Sequence, residues 1–477
     1  MIFEEERLEL GGREIVLRSP KEDEAQMLLD YLKTVTGETR FLMCESDEVA
    51  YSVENELEFL KSHNESENEM MIMAFVDGEY AGNCAFEKVT TSRRNHHRAS
   101  VGIALFLKFT GFGLGRLLME RLLAKIDEAG YEMSELTVVG GNDRAYHLYE
   151  SLGFKECGRI PNANKYDDGT YADDILMVRK RPVTADAFGA FVKDIQDNHW
   201  NVFGVEVYEN GELTHSYGDT QENLHELYSA TKTVLSIAVG MVYDMGLIDL
   251  DQCILEYLPK EKVTKMSAKQ KETFRPITVK RLLTMSVGDL PFRAEGDSWI
   301  DFALSCEISH PEERTFHYTN INSYLVGVAL TEILGRDLGE FIEERIFQPL
   351  GITRFEYTRC PEGYFYGASG MKLTVHDFSK IGLLLYNKGI YQGQRLLSEK
   401  YNELATSVQM QNREGGYGYF VWKYLDGFSI NGRQKQKCYI LPKRGLVITQ
   451  LCDIEDTSNA LRESMEKWIL GLSQDDK

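Results

Sequence analysis

The stretch LYSATKTVLSIAVGMVYDMG, residues 227–246, determines the fold of the larger part of this chain. Ser229 and Lys232 are three residues apart, so at the start of a helix their side chains lie on one face and in contact. From Val234 to Val242 the stretch is apolar on nearly every face, which is typical of a helix inside a large domain. We therefore predict a buried helix that begins with a serine and a lysine side by side.

This pair of residues suits nucleophilic catalysis. A serine hydroxyl is a poor nucleophile until a base takes its proton, and Lys232 is the nearest candidate base. For that role the pKa of the lysine must fall from about 10.4 towards 7, a shift of roughly three units or about 4–5 kcal/mol. Burial beside the apolar helix favours such a shift. The alternative is a core helix with a solvated Lys232, because an isolated S-x-x-K occurs by chance in most long proteins.

Three further motifs decide between these alternatives: ITVKRLLT at 277–284, Tyr318-Thr-Asn320, and FQPLG at 347–351. With the S-x-x-K motif they resemble the β-lactamase-like serine hydrolases, which include class C β-lactamases, penicillin-binding-type peptidases and related esterases. The similarity extends over about residues 186–470. It implies an acyl-serine intermediate on Ser229, a proton network completed by Tyr318, and an Asn320 that contacts the substrate amide or the lysine. A tyrosine that only precedes a helix is the other interpretation of Tyr318.

One more element of this family, which we call the third motif, is irregular here. It is normally a basic or aromatic residue followed by glycine on the strand beside the site, and in a close subgroup a glycine-rich run ending in Gln. The chain reads NGRQKQ at 431–436, with Gln434 and Lys435 where glycines are usual. We expect Gly432 and Arg433 to contact the substrate. The larger residues are expected to narrow the pocket or to supply a cation for a carboxylate.

A second kind of motif lies upstream, TGFGLG at 110–115. It follows a predicted apolar strand, Ser100–Leu107, and precedes a helix whose leucines recur at helical spacing until Gly130. The order of strand, glycine-rich turn and helix directs free backbone N–H groups and a helix N-terminus at a phosphate. Taken alone, the glycines are equally compatible with a tight turn.

The segments around this loop resemble the GNAT acetyltransferases over residues 10–180. The resemblance rests on GIAL at 102–105 with the loop itself, and on NDRAYHLYESLGF at 142–154. It implies an acetyl-CoA cofactor, a carbonyl polarised by backbone amides near Leu105, and a proton donor, Tyr149, for the departing thiolate. A core tyrosine beside Phe154 is the other interpretation of Tyr149. The expected cofactor contacts are Ala104, Leu105, Thr110, Gly111, Phe112, Gly113, Leu114, Gly115, Arg116 and Asn142.

Three positions depart from these families. Thr110 stands where GNAT members usually have Arg or Gln, a change that a mainly backbone contact tolerates. Ser100 stands where many members carry a glutamate that acts as a base or holds water, so the identity of the base stays open. Met285 replaces a histidine that is usual in the hydrolase family, and we interpret it as a structural position.

The length of 477 residues requires two or more domains, since single cores stop growing at about 250–300 residues. Periodicity stops at RKRPVTA, 179–185, and Pro182 disfavours helix at the residue before it. We place the boundary near 182. The predicted fold is an α/β GNAT domain over 1–182, with a mixed, mostly antiparallel sheet and flanking helices. An α+β β-lactamase/transpeptidase-like domain, a helical region plus an antiparallel sheet, follows over 183–477.

Composition restricts the partners. A net charge of −22 repels nucleic acid and anionic membranes, which favours small molecules or peptides as partners. The two resemblances imply a small-molecule amine or a peptide as acceptor, and an ester or amide as the hydrolase substrate. No apolar run approaches the ~20 residues of a membrane span. The eight cysteines are scattered singly and the start MIFEEERLEL lacks signal-peptide features, which predicts a reducing, cytoplasmic location. His96 and His97 are adjacent, so on a strand they would face opposite sides and could not chelate together. We interpret them as surface residues in the loop Thr90–Arg98, and we expect no metal site.

The sequence thus predicts a cytoplasmic bifunctional enzyme. One half is an acetyl-CoA-dependent N-acetyltransferase, and the other is an S-x-x-K serine hydrolase of the esterase, amidase or peptidase type. The alternative is a transferase joined to a catalytically degenerate hydrolase-like module that binds a ligand or serves as a tether. The irregular third motif favours this alternative, and the sequence assigns no oligomeric state.

Overall fold

The computed structural model of the protein describes residues 1–42 and 44–472. The chain divides into two compact units, residues 1–182 and 183–477. Within the described residues, no helix combines the length and the apolar character needed to cross a membrane. Each unit has hydrophobic cores of its own.

The first unit is built on an eight-stranded sheet in the order β1-β2-β3-β4-β5-β6-β8-β7. Neighbouring strands are antiparallel except β5 and β6, which run parallel. The elements in chain order are β1 (Glu6–Leu10), β2 (Arg13–Arg18), α1 (Ala25–Glu38), α2 (Val53–Glu65), β3 (Met70–Val76), β4 (Glu79–Lys88), β5 (Arg98–Leu105), α3 (Leu114–Glu128), β6 (Met133–Val139), α4 (Asp143–Ser151), β7 (Lys155–Lys165) and β8 (Tyr171–Lys180).

Local sequence explains the central hairpin and the helix that follows it. Asp77 and Gly78 both have positive φ angles, 50° and 84°, and form the tight turn between β3 and β4. Helix α3 buries Leu118, Met119, Leu122 and Ile126 against the sheet, and Gly130 (φ 86°) follows its end. His96 and His97 lie in the turn before β5, as the sequence predicts.

The second unit combines a six-stranded antiparallel sheet, in the order β10-β9-β18-β17-β16-β15, with a helical region. Its elements are α5 (Ala185–Asp197), β9 (Val202–Glu209), β10 (Glu212–Gly218), β11 (His225–Glu226), α6 (Thr231–Asp244), α7 (Lys260–Lys265), α8 (Ala268–Phe274), α9 (Val279–Leu283), α10 (Trp299–Ser305), α11 (Asn320–Leu334), α12 (Leu338–Ile342), β12 (Lys372–Leu373), α13 (Val375–Tyr386), β13 (Ile390–Tyr391), β14 (Gln394–Arg395), α14 (Glu399–Thr406), β15 (Trp422–Tyr424), β16 (Gly427–Asn431), β17 (Lys437–Leu441), β18 (Leu446–Cys452) and α15 (Ala460–Trp468).

The two faces of this sheet meet different helices. Helices α5 and α15 cover one face through residues such as Phe191 and Met465. The other face packs on α13 and continues into the large core that contains α6 and α11. Helix α6 is buried at every residue from Thr231 to Val242, as its composition predicts.

The predicted fold class is confirmed in both units. The first is a mixed, mostly antiparallel sheet with flanking helices, and the second joins helices to an antiparallel sheet. The elements that position the candidate sites are α6, α11 and the β16–β17 connection in the second unit, and β5, β6, α3 and α4 in the first.

Candidate active sites

Ser229 lies at the entrance of the buried helix. It occupies the middle of a 3-10 turn, Tyr228–Ala230, that leads directly into α6. Tyr228 has a φ of 47°, in the left-handed region that a non-glycine residue rarely adopts. The spacing of one helical turn places Ser229 Oγ 3.1 Å from the Nζ atom of Lys232. The serine is half-buried, whereas only 1% of Lys232 is exposed.

Two carbonyl oxygens hold the lysine in place. Lys232 Nζ donates to the side-chain oxygen of Asn320 at 2.8 Å and to the backbone oxygen of Ala368, also at 2.8 Å. A neutral amine has two N–H bonds, and these two acceptors take both. The nitrogen lone pair is then left for the third neighbour, the hydroxyl of Ser229. The geometry therefore suits a lysine that accepts the serine proton.

Burial lowers the pKa of Lys232 to about 7. Among the residues that the structure describes, no carboxylate hydrogen-bonds to Nζ to offset this desolvation, because its partners Ser229, Asn320 and Ala368 are all uncharged. The ring of Tyr318, whose centroid is 5.1 Å from Nζ, is a weaker partner that favours the charged form. A substantial fraction of Lys232 is thus neutral at neutral pH.

Tyr318 stands two residues before Asn320, the first residue of α11. Burial raises the pKa of Tyr318 to about 12, while a hydrogen bond with Ser229 acts in the opposite direction. Its ring packs against Trp422 and Tyr417, with centroids 5.6 and 6.3 Å away. The phenol therefore keeps its proton at neutral pH and lies beside the serine, where it can donate that proton.

The third motif forms the connection between β16 and β17. Gln434 and Lys435 have φ angles of 57° and 67°, the left-handed conformation that glycine adopts without strain. The hydroxyl of Tyr228 donates to the side-chain oxygen of Gln434, so this loop contacts the residue next to Ser229. Lys435 Nζ contacts the backbone oxygen of Ser458 and lies 3.3 Å from Asp456.

Gly432 and Arg433 have different surroundings. A Cβ atom on Gly432 would lie 2.2 Å from the backbone oxygen of Leu227, so the loop approaches the serine turn too closely for a side chain. Arg433 has a side chain that is 71% exposed and pairs with Glu455 at 3.4 Å. Arg433 and Lys435, the two cations of the motif, are thus both paired with acidic residues of the segment that follows β18.

Met285 is fully buried, with a φ of 53°. Its sulfur lies 3.2 Å from the side-chain nitrogen of Asn322, and its backbone oxygen accepts from His317 N at 2.7 Å. These contacts place it in the packing beneath the start of α11.

In the first unit the candidate site is a fork in the sheet. Strands β5 and β6 pair only over Arg98–Ser100 and Met133–Glu135. Beyond that point β5 stays paired with β4, and β6 stays paired with β8, so the two central strands separate. The backbone edge of β5 from Val101 to Leu105 therefore faces an opening instead of a strand.

The opening is a cleft of about 1250 Å³. It is lined by eight of the ten predicted cofactor contacts: Ala104, Leu105, Thr110, Gly111, Gly113, Gly115, Arg116 and Asn142. The other two lie elsewhere, because Leu114 is buried in the core and Phe112 packs under Arg13, 4.7 Å from its guanidinium.

The glycine-rich loop ends at the N-terminus of α3. Gly111 and Gly113 have φ angles of 98° and 101°, which L side chains rarely adopt. Gly113 is the N-cap of the 15-residue helix, so the free N–H groups of its first turn lie beside the cleft. Such a helix start can hold a pyrophosphate. Thr110 turns its hydroxyl back to Leu107 O at 2.6 Å, and Asn142 caps α4 through Ala145 N.

Tyr149 of α4 lines the same cleft and is only 8% exposed. Burial raises its pKa to about 12. Its ring lies 5.9 Å from that of Phe154, so it packs in the core and also reaches the cleft. The phenol keeps its proton at neutral pH.

Sequence reasoning missed three groups that belong to these sites. Ala368 supplies a backbone oxygen to Lys232, and no sequence pattern marks a backbone acceptor. Arg98 and Glu135 form an ion pair inside the cleft, with Nε and Oε2 2.7 Å apart. The alternation of β6, which buries Ser134 and Leu136, indicates that Glu135 faces the other way, but the register with β5 is not visible in the sequence.

Comparison with known proteins finds one protein family for each of the two units. A family model described as Beta-lactamase matches residues 177–467, and one described as Acetyltransferase (GNAT) family matches residues 38–154. No curated protein matches the chain.

Several solved structures are similar. An acetyltransferase of the GNAT family from Streptococcus pneumoniae is 26% identical, with 35% of this chain and 99% of that one covered and a TM-score of 0.34. A candidate 6-aminohexanoate-dimer hydrolase from Bacillus anthracis is 20% identical, with 59% and 80% covered and a TM-score of 0.50. A candidate acetyltransferase from Salmonella typhimurium, solved with its cofactor acetyl-CoA, is 16% identical, with 36% and 96% covered and a TM-score of 0.33.

Proposed function

Because the chain belongs to the beta-lactamase family and carries an N-terminal GNAT acetyltransferase domain, we propose that it is a bifunctional enzyme. Its second unit is a serine hydrolase that forms an acyl-enzyme on Ser229. Its first unit transfers an acetyl group from acetyl-CoA to an amine.

The contact between Ser229 and a buried Lys232 carries the hydrolase proposal. The serine hydroxyl gives its proton to neutral Lys232, and Oγ attacks the carbonyl carbon of an ester or amide. Tyr318, protonated and beside the serine, donates a proton to the leaving alkoxide or amine. Water then attacks the acyl carbon and gives a proton to Tyr318, the bond between the acyl carbon and Oγ breaks, and Lys232 returns its proton to Ser229 Oγ. Esters, amides and small peptides are the substrate class.

Hydrolysis of p-nitrophenyl butyrate tests this half of the proposal. We expect release of p-nitrophenol by the full chain and a loss of at least about 10³-fold in Ser229→Ala, since removal of a nucleophile leaves only binding and oxyanion contacts. Ser236, a buried serine on the same helix, is the matched control: Ser236→Ala should keep the activity. Equal rates for wild type and Ser229→Ala would refute the hydrolase.

The first unit fits acetyl-CoA on its own geometry. The left-handed glycines and the start of α3 supply N–H groups for the pyrophosphate, and the free edge of β5 lies along the cleft. Acetyl-CoA supplies an activated acyl thioester. Backbone N–H groups near Leu105 would polarise its carbonyl, and Tyr149 would donate the proton that the departing thiolate needs.

Thermal unfolding with acetyl-CoA tests the second half. Ligand at 100 times Kd should stabilise the first unit by about 2.7 kcal/mol. Gly113→Val should remove the effect, because φ at this position is 101° and the helix start would shift. Gly12→Val also sits at positive φ, but in the β1–β2 turn, and should keep the effect. No stabilisation at millimolar acetyl-CoA would refute the transferase.

One observation favours the alternative of a degenerate hydrolase module. Gln434 and Lys435 adopt conformations that suit glycine, and the Gln434 side chain accepts a hydrogen bond from Tyr228, next to the nucleophile. A module that binds an ester or amide without turnover would show unchanged p-nitrophenyl butyrate and no covalent adduct.

We further propose a cytoplasmic location. It is supported by the acetyl-CoA requirement of the transferase and by eight cysteines that are all free thiols, as in reducing compartments.

A further inference from the structure

An amine acceptor raises a question of proton transfer in the cleft. A primary amine reaches the enzyme mainly as an ammonium ion, which has no lone pair for attack, so a group near the acyl carbon must take its proton. Ser100 stands where many GNAT members carry a glutamate, and a serine has no carboxylate to take the proton. Among the cleft-lining residues that the structure describes, the carboxylates are Glu135 and Asp143. Asp143 belongs to the first turn of α4, next to the cap residue Asn142.

Glu135 occupies the apex of the fork. It is the direct cross-strand partner of Ser100, and this is the last pair before β5 and β6 separate. Its chain neighbours Ser134 and Leu136 are buried, so Glu135 lies on the opposite face of the sheet, away from α3. A carboxylate at position 135 is therefore one strand away from position 100, on the same cleft wall.

Arg98 pairs with only one of the two oxygens of this carboxylate. Its Nε and Nη2 atoms both contact Oε2 of Glu135, at 2.7 and 2.5 Å. No hydrogen bond from the part of the chain that the structure describes reaches Oε1. The ion pair thus fixes the orientation of Glu135 and leaves one oxygen for another donor.

Apart from Arg98, the cross-strand neighbours of Glu135 towards β8 are uncharged. Val178 is its cross-strand partner on β8, and Thr137 pairs with Leu176 in the next row towards the open end of the fork. All three line the cleft with Glu135. An ammonium group next to Oε1 would have an uncharged, partly apolar surface for the rest of its chain.

We infer that Glu135 binds the acceptor ammonium through Oε1 and takes its proton, so that the acceptor is a primary amine with an uncharged, apolar body. This inference rests on the proposed acetyltransferase function. The ammonium loses one proton to Glu135, which passes it to solvent through the cleft. The nitrogen then forms a bond to the acyl carbon, the carbon–sulfur bond breaks, and the thiolate takes a proton from Tyr149. The acylated nitrogen loses its second proton, which returns Tyr149 to its protonated form. The products are the N-acetyl amine, CoA thiol and one proton.

Hydroxylamine separates this role from a structural one, because it is mostly uncharged at neutral pH and needs no base to free its lone pair for attack. CoA thiol release from acetyl-CoA is measured with hydroxylamine and with three primary amines: n-butylamine, phenethylamine and lysine amide. In Glu135→Gln, transfer to the best amine should fall by on the order of 10²-fold, whereas transfer to hydroxylamine should stay within about threefold. The remaining amine activity should rise with pH in proportion to the unprotonated amine.

Rescue and control variants complete the test. The double variant Ser100→Glu/Glu135→Gln should transfer to the amine at least about tenfold faster than Glu135→Gln alone. The reason is that the register places the new carboxylate beside the position of the lost one. Glu6→Gln breaks a comparable ion pair, with Arg121 outside the cleft, and should leave both activities unchanged.

Three outcomes would overturn the inference: equal losses with hydroxylamine and amines in Glu135→Gln, failure of the Ser100→Glu rescue, or transfer to hydroxylamine with none to the amines in wild type. A wild-type protein that does not bind acetyl-CoA would instead refute the transferase itself. Binding without transfer to any acceptor would refute both.

Discussion

Lys232 Nζ lies 3.1 Å from Ser229 Oγ while its other two hydrogen bonds go to carbonyl oxygens, those of Asn320 and Ala368. In water, an ammonium ion is the stable form of lysine. Here burial lowers the pKa to about 7, and the two acceptors can be satisfied by a neutral amine. The arrangement therefore places an unprotonated amine next to Ser229 Oγ, where it can remove the hydroxyl proton.

The pH dependence of acylation follows from this pKa. Lys232 acts as a base only when it has lost its proton, so the rate of acylation should rise with pH through about 7 and then level off. Tyr318, with a pKa of about 12, stays protonated over this range. Pre-steady-state release of p-nitrophenol between pH 5 and 9 measures the profile.

Lys232→Met is the matched variant for this profile. It fills the same buried space without a base, so the rate should fall by at least about 10²-fold and lose the rise near pH 7. A Lys232→Met profile that keeps the wild-type midpoint would assign the titration to another group.

Gly432 should tolerate no side chain. In Gly432→Ala the new Cβ would lie 2.2 Å from Leu227 O, which is backbone and cannot swing away. We expect a loss of about 1–3 kcal/mol in the free energy of unfolding of the second unit, measured by urea denaturation. Gly288→Ala, where nothing lies within 4 Å of the new atom, should cost less than about 0.5 kcal/mol. Equal effects would show that the loop adapts.

Gln434 should restrict the size of the substrate. Its side chain spans from the Tyr228 hydroxyl to Glu455, beside the serine turn. In Gln434→Gly, the kcat/KM for p-nitrophenyl octanoate relative to the acetate should rise by about tenfold, the effect of extra room in a pocket. Gln392→Gly relieves a similar φ of 46° in the β13–β14 hairpin and should leave this ratio unchanged. An unchanged ratio in Gln434→Gly would place its side chain outside the pocket.

Tyr149 should matter for turnover and not for binding. Because burial keeps its phenol protonated, with a pKa of about 12, Tyr149→Phe removes a proton donor while keeping the ring. The Kd for acetyl-CoA should stay within about twofold, and kcat with the best amine should fall on the order of 10²-fold. Tyr131→Phe, another buried tyrosine of the same core, is the control. An unchanged kcat would assign Tyr149 to packing alone.

Much of the architecture could be predicted from the sequence because periodicity and turn residues are local signals. The 3.6-residue pattern of leucines predicts α3, and the Asp77-Gly78 turn predicts the β3–β4 hairpin. The apolar character of α6 on every face predicts its burial. The serine and lysine at its start are in contact because one helical turn separates them.

The remaining features depend on register between distant segments, which no local pattern encodes. Glu135 pairs with Ser100 across strands that are 35 residues apart in the chain, and the parallel pairing of β5 and β6 stops there. Ala368 reaches Lys232 through its backbone, so its residue type carries no signal. The left-handed Gln434 and Lys435 were visible only as departures from a glycine pattern.

Covalent labelling of the intact protein tests whether Ser229 is a nucleophile that Lys232 activates. A fluorophosphonate is added to the full chain at pH 8, and the modified residue is located by peptide mass spectrometry. We expect one adduct, on Ser229, with labelling suppressed in Lys232→Met and in Tyr318→Phe. The double variant should be no slower than the slower single variant, since groups that share one proton act as a unit. A folded protein with Ser229 unlabelled, or labelling that persists at the wild-type rate in Lys232→Met, would show that Ser229 is not a nucleophile activated by Lys232.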